Sequence, residues 1–348
     1  MKRGKYFVLI LLSLLCIENV FSQNPQIDPH WQKCWEDDFL FLNYNNWMVC
    51  NNRIHNNSPQ LFKDYNIWSE NGNLVIRVNN QQDTCPHNIS PQYPNCVADS
   101  IYTYTSGRVE TMPEYAIQYG YVEARIKVPY HEGLWPAFWT LIKQGLHLEE
   151  PDHTASEIDI FEMYANKGTN HLETNLHHAY DYTESNTAYL QEHDLNNFSY
   201  TDWHKYAIEW DPVKIIWYVD DTPIRTTYNH GILDPVRLIM NIAVAKGKGL
   251  QPETSPYFEE KMLVDYVKVY GLKCDKHTTI NEIPDFSAYD YKVKKSITLG
   301  SGTTIPTGTD ISLRANNFIE LRPGFEVPSD GRLYLDVSPC QGGITINP

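Results

Sequence analysis

The chain has 348 residues, with 28 Lys and Arg against 43 Asp and Glu and a formal net charge of −15 at pH 7. That balance excludes nucleic acid and anionic membrane surfaces as natural partners, because both repel an acidic protein. The length suits one large domain plus a small one, and 9 Trp and 24 Tyr offer flat apolar faces with polar tips, a chemistry suited to sugar rings.

At the N-terminus, Lys2, Arg3 and Lys5 precede the apolar run YFVLILLSLLCI, followed by ENVFSQ. A basic start, a short apolar segment, and Val20 and Ser22 ahead of a cut mark a signal peptide over residues 1–22. The run is too short for a membrane span, and Leu15 before Cys16 argues against lipidation. The expected protein is therefore secreted, periplasmic or cell-surface, not inserted in a membrane, and monomeric. Six cysteines follow the signal: Cys34, Cys50, Cys85, Cys96, Cys274 and Cys340. An even set in an exported chain predicts disulfides. Proximity favours Cys34–Cys50, Cys85–Cys96 and Cys274–Cys340. No cysteine or histidine spacing suggests zinc.

Strand-like runs then dominate. NLVIRVNN, YGYVEARIKVP, SEIDIFEMYA, WHKYAIEWDP, KIIWYVDDTPI, RLIMNIAVA and MLVDYVKVYG alternate, or are rich in β-branched and aromatic residues, between turn residues. In YVEARIKV, Val122, Ala124, Ile126 and Val128 take one face and Tyr121, Glu123, Arg125 and Lys127 the other. Asp220-Asp221 sits between two strand-like halves, as in a hairpin. No stretch has a sustained helical period. Many short antiparallel strands predict an all-β fold, a jelly-roll sandwich of two curved sheets. From Cys274 the chain turns polar and irregular, a linker. SITL, DISLRA, FIELR and RLYLDV then alternate with Gly, Pro, Asn and Asp, predicting a small β-repeat module over about 281–340. The expected boundaries are a catalytic domain over 23–274 and linker plus module over 275–348.

One strand is unusual. SEIDIFE places Glu157, Asp159 and Glu162 within six residues of an apolar run, although acids are depleted in strands. Glu157 and Asp159 share a face by the period of two, whereas Glu162 falls on the opposite one. A β-bulge near Ile160-Phe161 returns it, and bulges recur beside active sites. Two carboxyls on one face, about 5–5.5 Å apart, suit glycoside hydrolysis with retention. One donates a proton while the other attacks, and mutual repulsion separates their protonation states.

SEIDIFE resembles the active-site strand of glycoside hydrolase family 16, in its laminarinase-like branch with the bulged pattern E-x-D-x-x-E. YTSGRVET, GLWPAFWTL, TNLHH, DWHKYAIEWDP and MLVDYVKVY resemble flanking strands of that family in the same order, over about Trp35–Tyr270. The resemblance implies a β-jelly roll with its cleft on the concave face. It implies Glu157 as nucleophile, Glu162 as general acid and base, and Asp159 as the residue between them. It also implies sugar contacts from Trp135, Trp139, Arg108, His177 and Asn241, with Trp203 on the cleft wall. No cofactor is implied for catalysis. A structural calcium is, away from the cleft, with Asp265 and Glu36 as contributors, since oxygen ligands suit calcium. The implied partner is a polysaccharide, most similar to β-1,3- or mixed-linkage β-glucan such as laminarin or lichenan. The alternatives are a red-algal galactan, as for agarases and porphyranases, and a carbohydrate-binding protein without turnover. The chain departs from the family in a long insertion carrying Cys85 and Cys96, and in NIAVAKGKG, which lacks the usual double glycine.

Overall fold

The alternation of apolar and polar residues decides which strand faces meet. The computed structural model describes residues 31–54, 58–88, 96–142, 157–177, 189–210, 214–230, 232, 234–244, 258–272, 277–280, 293–305, 307–308, 310–337 and 344–346. The signal segment, Cys274, Cys340 and most of the predicted linker lie outside them. Among the described residues the only helical turns are short 3-10 turns at Asp64–Asn66 and Ala165–Lys167. No described helix is long and apolar enough to cross a membrane.

Two sheets form the layers of the sandwich. The first has ten strands. Gly120–Lys127 and Glu259–Leu272 lie at its centre, and Trp203–Trp210, Lys214–Val219 and Thr222–Tyr228 step out to one edge. The second has nine strands. Its order runs Gln191–Asp194, His171–His177, Glu157–Glu162, Leu134–Ile142, Val236–Val244 and Tyr115–Ile117, with Arg108–Thr111 also paired to Val236–Val244. Val122, Ala124 and Ile126 of the first sheet meet Phe138, Ile158, Phe161, Leu176, Met240 and Ile242 of the second. Each such side chain contributes roughly 1.5–3 kcal/mol when fully buried. The fold is an all-β jelly-roll sandwich.

Two local features explain how the chain makes the layers. Asp220 and Asp221 have φ of 48° and 64°, the two positive values of a type I′ turn, and they join the Lys214–Val219 and Thr222–Tyr228 strands. Gly107 sits where the chain leaves the first sheet at Tyr104–Ser106 and enters the second at Arg108–Thr111. A Cβ there would lie 2.6 Å from Ile67 Cδ1 and 2.7 Å from the Asn66 carbonyl oxygen. Only glycine fits that crossing.

The cysteines depart from the proximity expectation at one pair. Cys85 and Cys96 are bonded, with S–S 1.98 Å. Cys34 and Cys50 are not joined to each other. Cys50 is buried and its thiol donates to Glu110 Oε1 at 3.3 Å, because the adjacent strand brings a carboxylate to it and not a second sulfur.

The C-terminal residues form a four-stranded sheet of parallel neighbours: His277–Ile280, Val293–Leu299, Asp310–Leu321 and Arg332–Val337. Its own apolar cluster is Ile280, Ile297, Leu299, Ile305, Ile311, Leu313 and Ala315. DISLRA and FIELR are one continuous strand, and the first strand lies within the stretch read as linker. The last described strand, Ile344–Ile346, is not part of this sheet and pairs with Tyr115–Ile117 at an edge of the nine-stranded sheet. An open sheet edge offers unpaired N–H and C=O groups for such pairing.

Candidate active site

The strand Glu157–Glu162 runs in the nine-stranded sheet between Leu134–Ile142 and His171–His177. Phe138 and Trp139 are consecutive on one neighbour, yet they oppose Phe161 and Asp159. Ile160 is therefore the extra residue of a bulge. On the other neighbour, Asn175 opposes Asp159 and Glu173 opposes Glu162, again one residue short. Backbone groups freed near the irregularity find other partners. Ile158 N–H donates to Thr140 Oγ1 at 2.9 Å, and Trp217 Nε1–H donates to the Asp159 carbonyl at 2.8 Å. The bulge turns Glu162 to the face of Glu157 and Asp159, while Ile158, Ile160 and Phe161 stay in the apolar core.

Each acid has its own surroundings. Glu162 Oε1 accepts Trp135 Nε1–H at 2.8 Å and Tyr164 O–H at 3.3 Å. Trp135 stacks on Tyr164, with ring centroids 5.4 Å apart at 29°, and remains partly exposed. His177, opposite Glu157 in register, places Nε2 3.2 Å from Asp159 Oδ2 and 3.6 Å from Glu157 Oε1. One atom each of Glu157, Asp159 and His177 lie within 4.8 Å of one another. Burial, then the charge of Asp159, push the Glu157 carboxyl well above the usual carboxylate range, and the charge of His177 opposes that. Burial alone would lower His177, but its hydrogen bond to Asp159 and the surrounding carboxylates prevail and raise it to about 9. The raised value favours the imidazolium beside the acids, and the same Nε2 also lies 3.1 Å from Asn175 Nδ2.

The face continues across the sheet. Asn241 opposes Ala137 on one side and Arg108 on the other. Trp139 Nε1–H donates to Asn241 Oδ1 at 2.8 Å, and the Arg108 guanidinium lies 5.0 Å from the centre of the Trp139 ring. Trp139, Asn241 and Arg108 are all buried and make one floor beside the acids. Trp135 and His177 flank the acids directly. Five of the six residues named as sugar contacts therefore share the face of the acids.

Trp203 does not. It lies on the ten-stranded sheet, where it faces away from the core and carries Arg125 on its ring at 4.8 Å. The period of two decides this: Tyr206, Ile208 and Trp210 point into the core, so Trp203 points outward. Of the two side chains named for calcium, Asp265 Oδ2 accepts from Arg125 at 2.7 Å, and Glu36 is paired with Lys33 and Lys268. Each acid already faces a cation, a surrounding that does not suit a shared calcium.

Residues 55–268 match the description of Glycosyl hydrolases family 16. The chain belongs to that family. It is 33% identical over 177 residues to endo-1,3-1,4-beta-glycanase EglC of Rhizobium meliloti, an alignment covering 51% of this chain and 35% of that protein. The family 16 chain thus spans about a third of that relative's length. Its backbone is similar to the catalytic domain of an endo-1,3-beta-glucanase (laminarinase) from Thermotoga petrophila, with TM-score 0.58 and 28% identity over 70% of this chain and 98% of that one. It is also similar, with TM-score 0.57 and 26% identity over 71% of this chain and 93% of that one, to a structure concerning endo-acting O-glycanases of the human gut microbiota that initiate mucin breakdown.

Several residues of the family 16 floor escaped the sequence reading. Glu110, fully buried, accepts from Arg108 Nε at 2.8 Å, Arg53 Nη1 at 3.2 Å and Arg237 Nη1 at 2.5 Å. Burial pushes its carboxyl up, but the three guanidinium groups outweigh burial and pull it down to about 2. Glu173 lies opposite Glu162 in register, and Lys167 is paired to Glu173. Alternation carried the signal: Glu110 is two residues from Arg108, Arg237 four from Asn241, and Glu173 four from His177. Nothing in the sequence marked their partners across strands.

Proposed function

We propose that this family 16 protein is a secreted, retaining endo-glycoside hydrolase that cleaves β-1,3- or mixed-linkage β-glucan. The observation that carries the reading is the bulge at Ile160, which gathers Glu157, Asp159 and Glu162 on one concave face beside partly exposed Trp135. Retaining hydrolysis needs an acid and a nucleophile on one face of the cleft. The Cys85–Cys96 bond supports export, because disulfides persist in oxidising compartments.

In the first half-reaction Glu157, ionised, attacks the anomeric carbon. The glycosidic C–O bond breaks as Glu162 gives its proton to the leaving oxygen. In the second, Glu162 takes a proton from water, whose oxygen attacks the same carbon and releases Glu157. Trp135 and Tyr164 both donate to Oε1 of Glu162, which holds the carboxyl in place for the proton transfer. His177, cationic, offsets the repulsion that burial and Asp159 impose on the Glu157 anion.

Product analysis on laminarin, lichenan, agarose, porphyran, carrageenan and mucin tests this, with Glu157→Ala as control and NMR of the first-formed anomer. Oligosaccharides from laminarin or lichenan with retained configuration are expected. Products from galactans or mucin alone overturn the substrate. An inverted anomer overturns the mechanism, and binding without products overturns turnover itself.

A further inference from the structure

Behind the acid lies a second charged group that the reaction outlined above does not use. Glu173 is directly opposite Glu162 on the neighbouring strand, which puts the two Cβ atoms about 4.5–5.5 Å apart on one face. Its side chain is only 3% exposed. Lys167 Nζ sits 2.6 Å from Glu173 Oε1 and 2.6 Å from Glu192 Oε1. Glu173 Oε2 is buried and has no hydrogen-bond partner. A buried carboxylate oxygen without a donor is costly, so its position calls for a compensating role.

A metal is a poor account of this group. His171, Glu173 and Glu192 do bring possible ligand atoms within 4.8 Å of one another, but the Lys167 ammonium already stands between the two carboxylates as their cation. His171 is turned to Asp194, with Nδ1 2.8 Å from Oδ1. Its Nε2 lies 3.8 Å from Glu173 Oε1, beyond a hydrogen bond, and the residue that register sets opposite Glu173 is Glu162. Tyr164, which donates to Glu162, is raised first by burial and then by the charges of Glu162 and Glu173 together, so one small volume holds all three.

We propose that Glu173 is a positioning residue for the catalytic proton: its negative charge, fixed by Lys167 across the strand pair, keeps the proton on Glu162 until the glycosidic oxygen takes it. This rests on Glu162 being the general acid. A like charge nearby disfavours the ionised form of a carboxyl. The other charged groups around the pair are Glu157 and Asp159 on the strand of Glu162, His171 and His177 on the strand of Glu173, Glu192 and Asp194 on the edge strand, and Lys167 on the turn. On the far side, Leu134–Ile142 presents no charged side chain to Glu162, only Trp135. Glu173 is the carboxylate paired to Glu162 in register, and the charge of Glu162 is therefore tied to it.

The test is the pH dependence of kcat/KM on laminarin, or on whichever panel polymer is cleaved, for the wild type, Glu173→Gln, Glu173→Asp and Glu162→Ala. Glu173→Gln keeps shape and removes charge. Its basic limb is expected to fall by roughly one pH unit, about a tenfold rate loss above that limb, with the acidic limb in place. Glu173→Asp, which keeps the charge but withdraws it, should show a smaller shift in the same direction. With a dinitrophenyl β-glycoside, whose leaving group needs no proton, Glu173→Gln should form the glycosyl-enzyme at the wild-type rate. An unmoved basic limb in both Glu173 variants, or equal losses on both substrates, overturns the proposal. Glu162→Ala separates this from the parent assignment: if that variant still cleaves polysaccharide, the acid itself is misassigned.

Discussion

Two strands of this molecule carry conspicuous charge, and their surroundings are opposite. Gly120–Lys127 places Arg125 on the outer face of the ten-stranded sheet, where it meets Asp265. Next to it Glu36 meets Lys268. Every one of these charges has an opposite neighbour at the surface. Glu157–Glu162 does the reverse. It crowds three carboxyls on one face, where His177 lies 3.6 Å from Glu157 and 3.2 Å from Asp159 and neutral donors from Trp135 and Tyr164 reach Glu162. Compensated charge at a surface adds little to stability. Crowded like charge in a partly buried site costs stability and separates proton affinities, which is what acid-base chemistry needs.

The comparison breaks most sharply at the acids themselves. Glu157→Ala and Glu162→Ala should each lower kcat on polysaccharide by at least ~10²–10⁴-fold, while far-ultraviolet circular dichroism and Tm remain near the wild type. Relief of repulsion could even raise Tm. A variant that keeps turnover would end the assignment for that residue.

Glu110 is the intermediate case: charged, buried, but fully compensated. Glu110→Gln leaves Arg53, Arg108 and Arg237 without their shared carboxylate. Denaturant unfolding should show a loss of about 3–5 kcal/mol, as for a broken buried ion pair. The pH sign follows from the lowered carboxyl. Its contribution is present above the ordinary carboxylate value and disappears as pH falls toward about 2. The acid stability of Glu110→Gln should therefore depend less on pH between about 4.5 and 2 than that of the wild type.

His177 sharpens the contrast by its sign. A raised histidine stabilises the fold fully below its ordinary value near 6.5, and that contribution is lost as pH rises to about 9. Wild-type Tm should decline across this window, and Tm of His177→Ala should decline less. With Glu157 as the proposed nucleophile, its raised carboxyl should set an acidic limb above the ordinary carboxylate range. His177→Ala should move that limb higher still, as read from kcat/KM against pH.

The smallest effect belongs to the outer face. Arg125→Ala or Asp265→Ala should cost about 0.2–1 kcal/mol by double-mutant cycle and leave kcat unchanged. A large loss of activity in either would show that the outer charges reach the site after all.

Sequence alone determined the strand class, the inward faces and the three acids, because alternation with period two is a local property of extended backbone. It determined the need for a bulge too, since Glu157 and Glu162 differ in parity and can share a face only if a residue is inserted. The Asp220-Asp221 turn was legible for the same reason: local chemistry fixed it. What tertiary structure alone decided was which outward face becomes the cleft. Trp203 and Trp139 look alike in a strand pattern, yet one lies on the outside of the sandwich and the other on the face that carries the three acids. Cross-strand register decided the partners: Arg237 and Arg53 for Glu110, Glu173 for Glu162, and a carboxylate in place of a second sulfur for Cys50. Most of these pairs join residues far apart in the chain, and no local periodicity encodes which strand lies beside which or in what register.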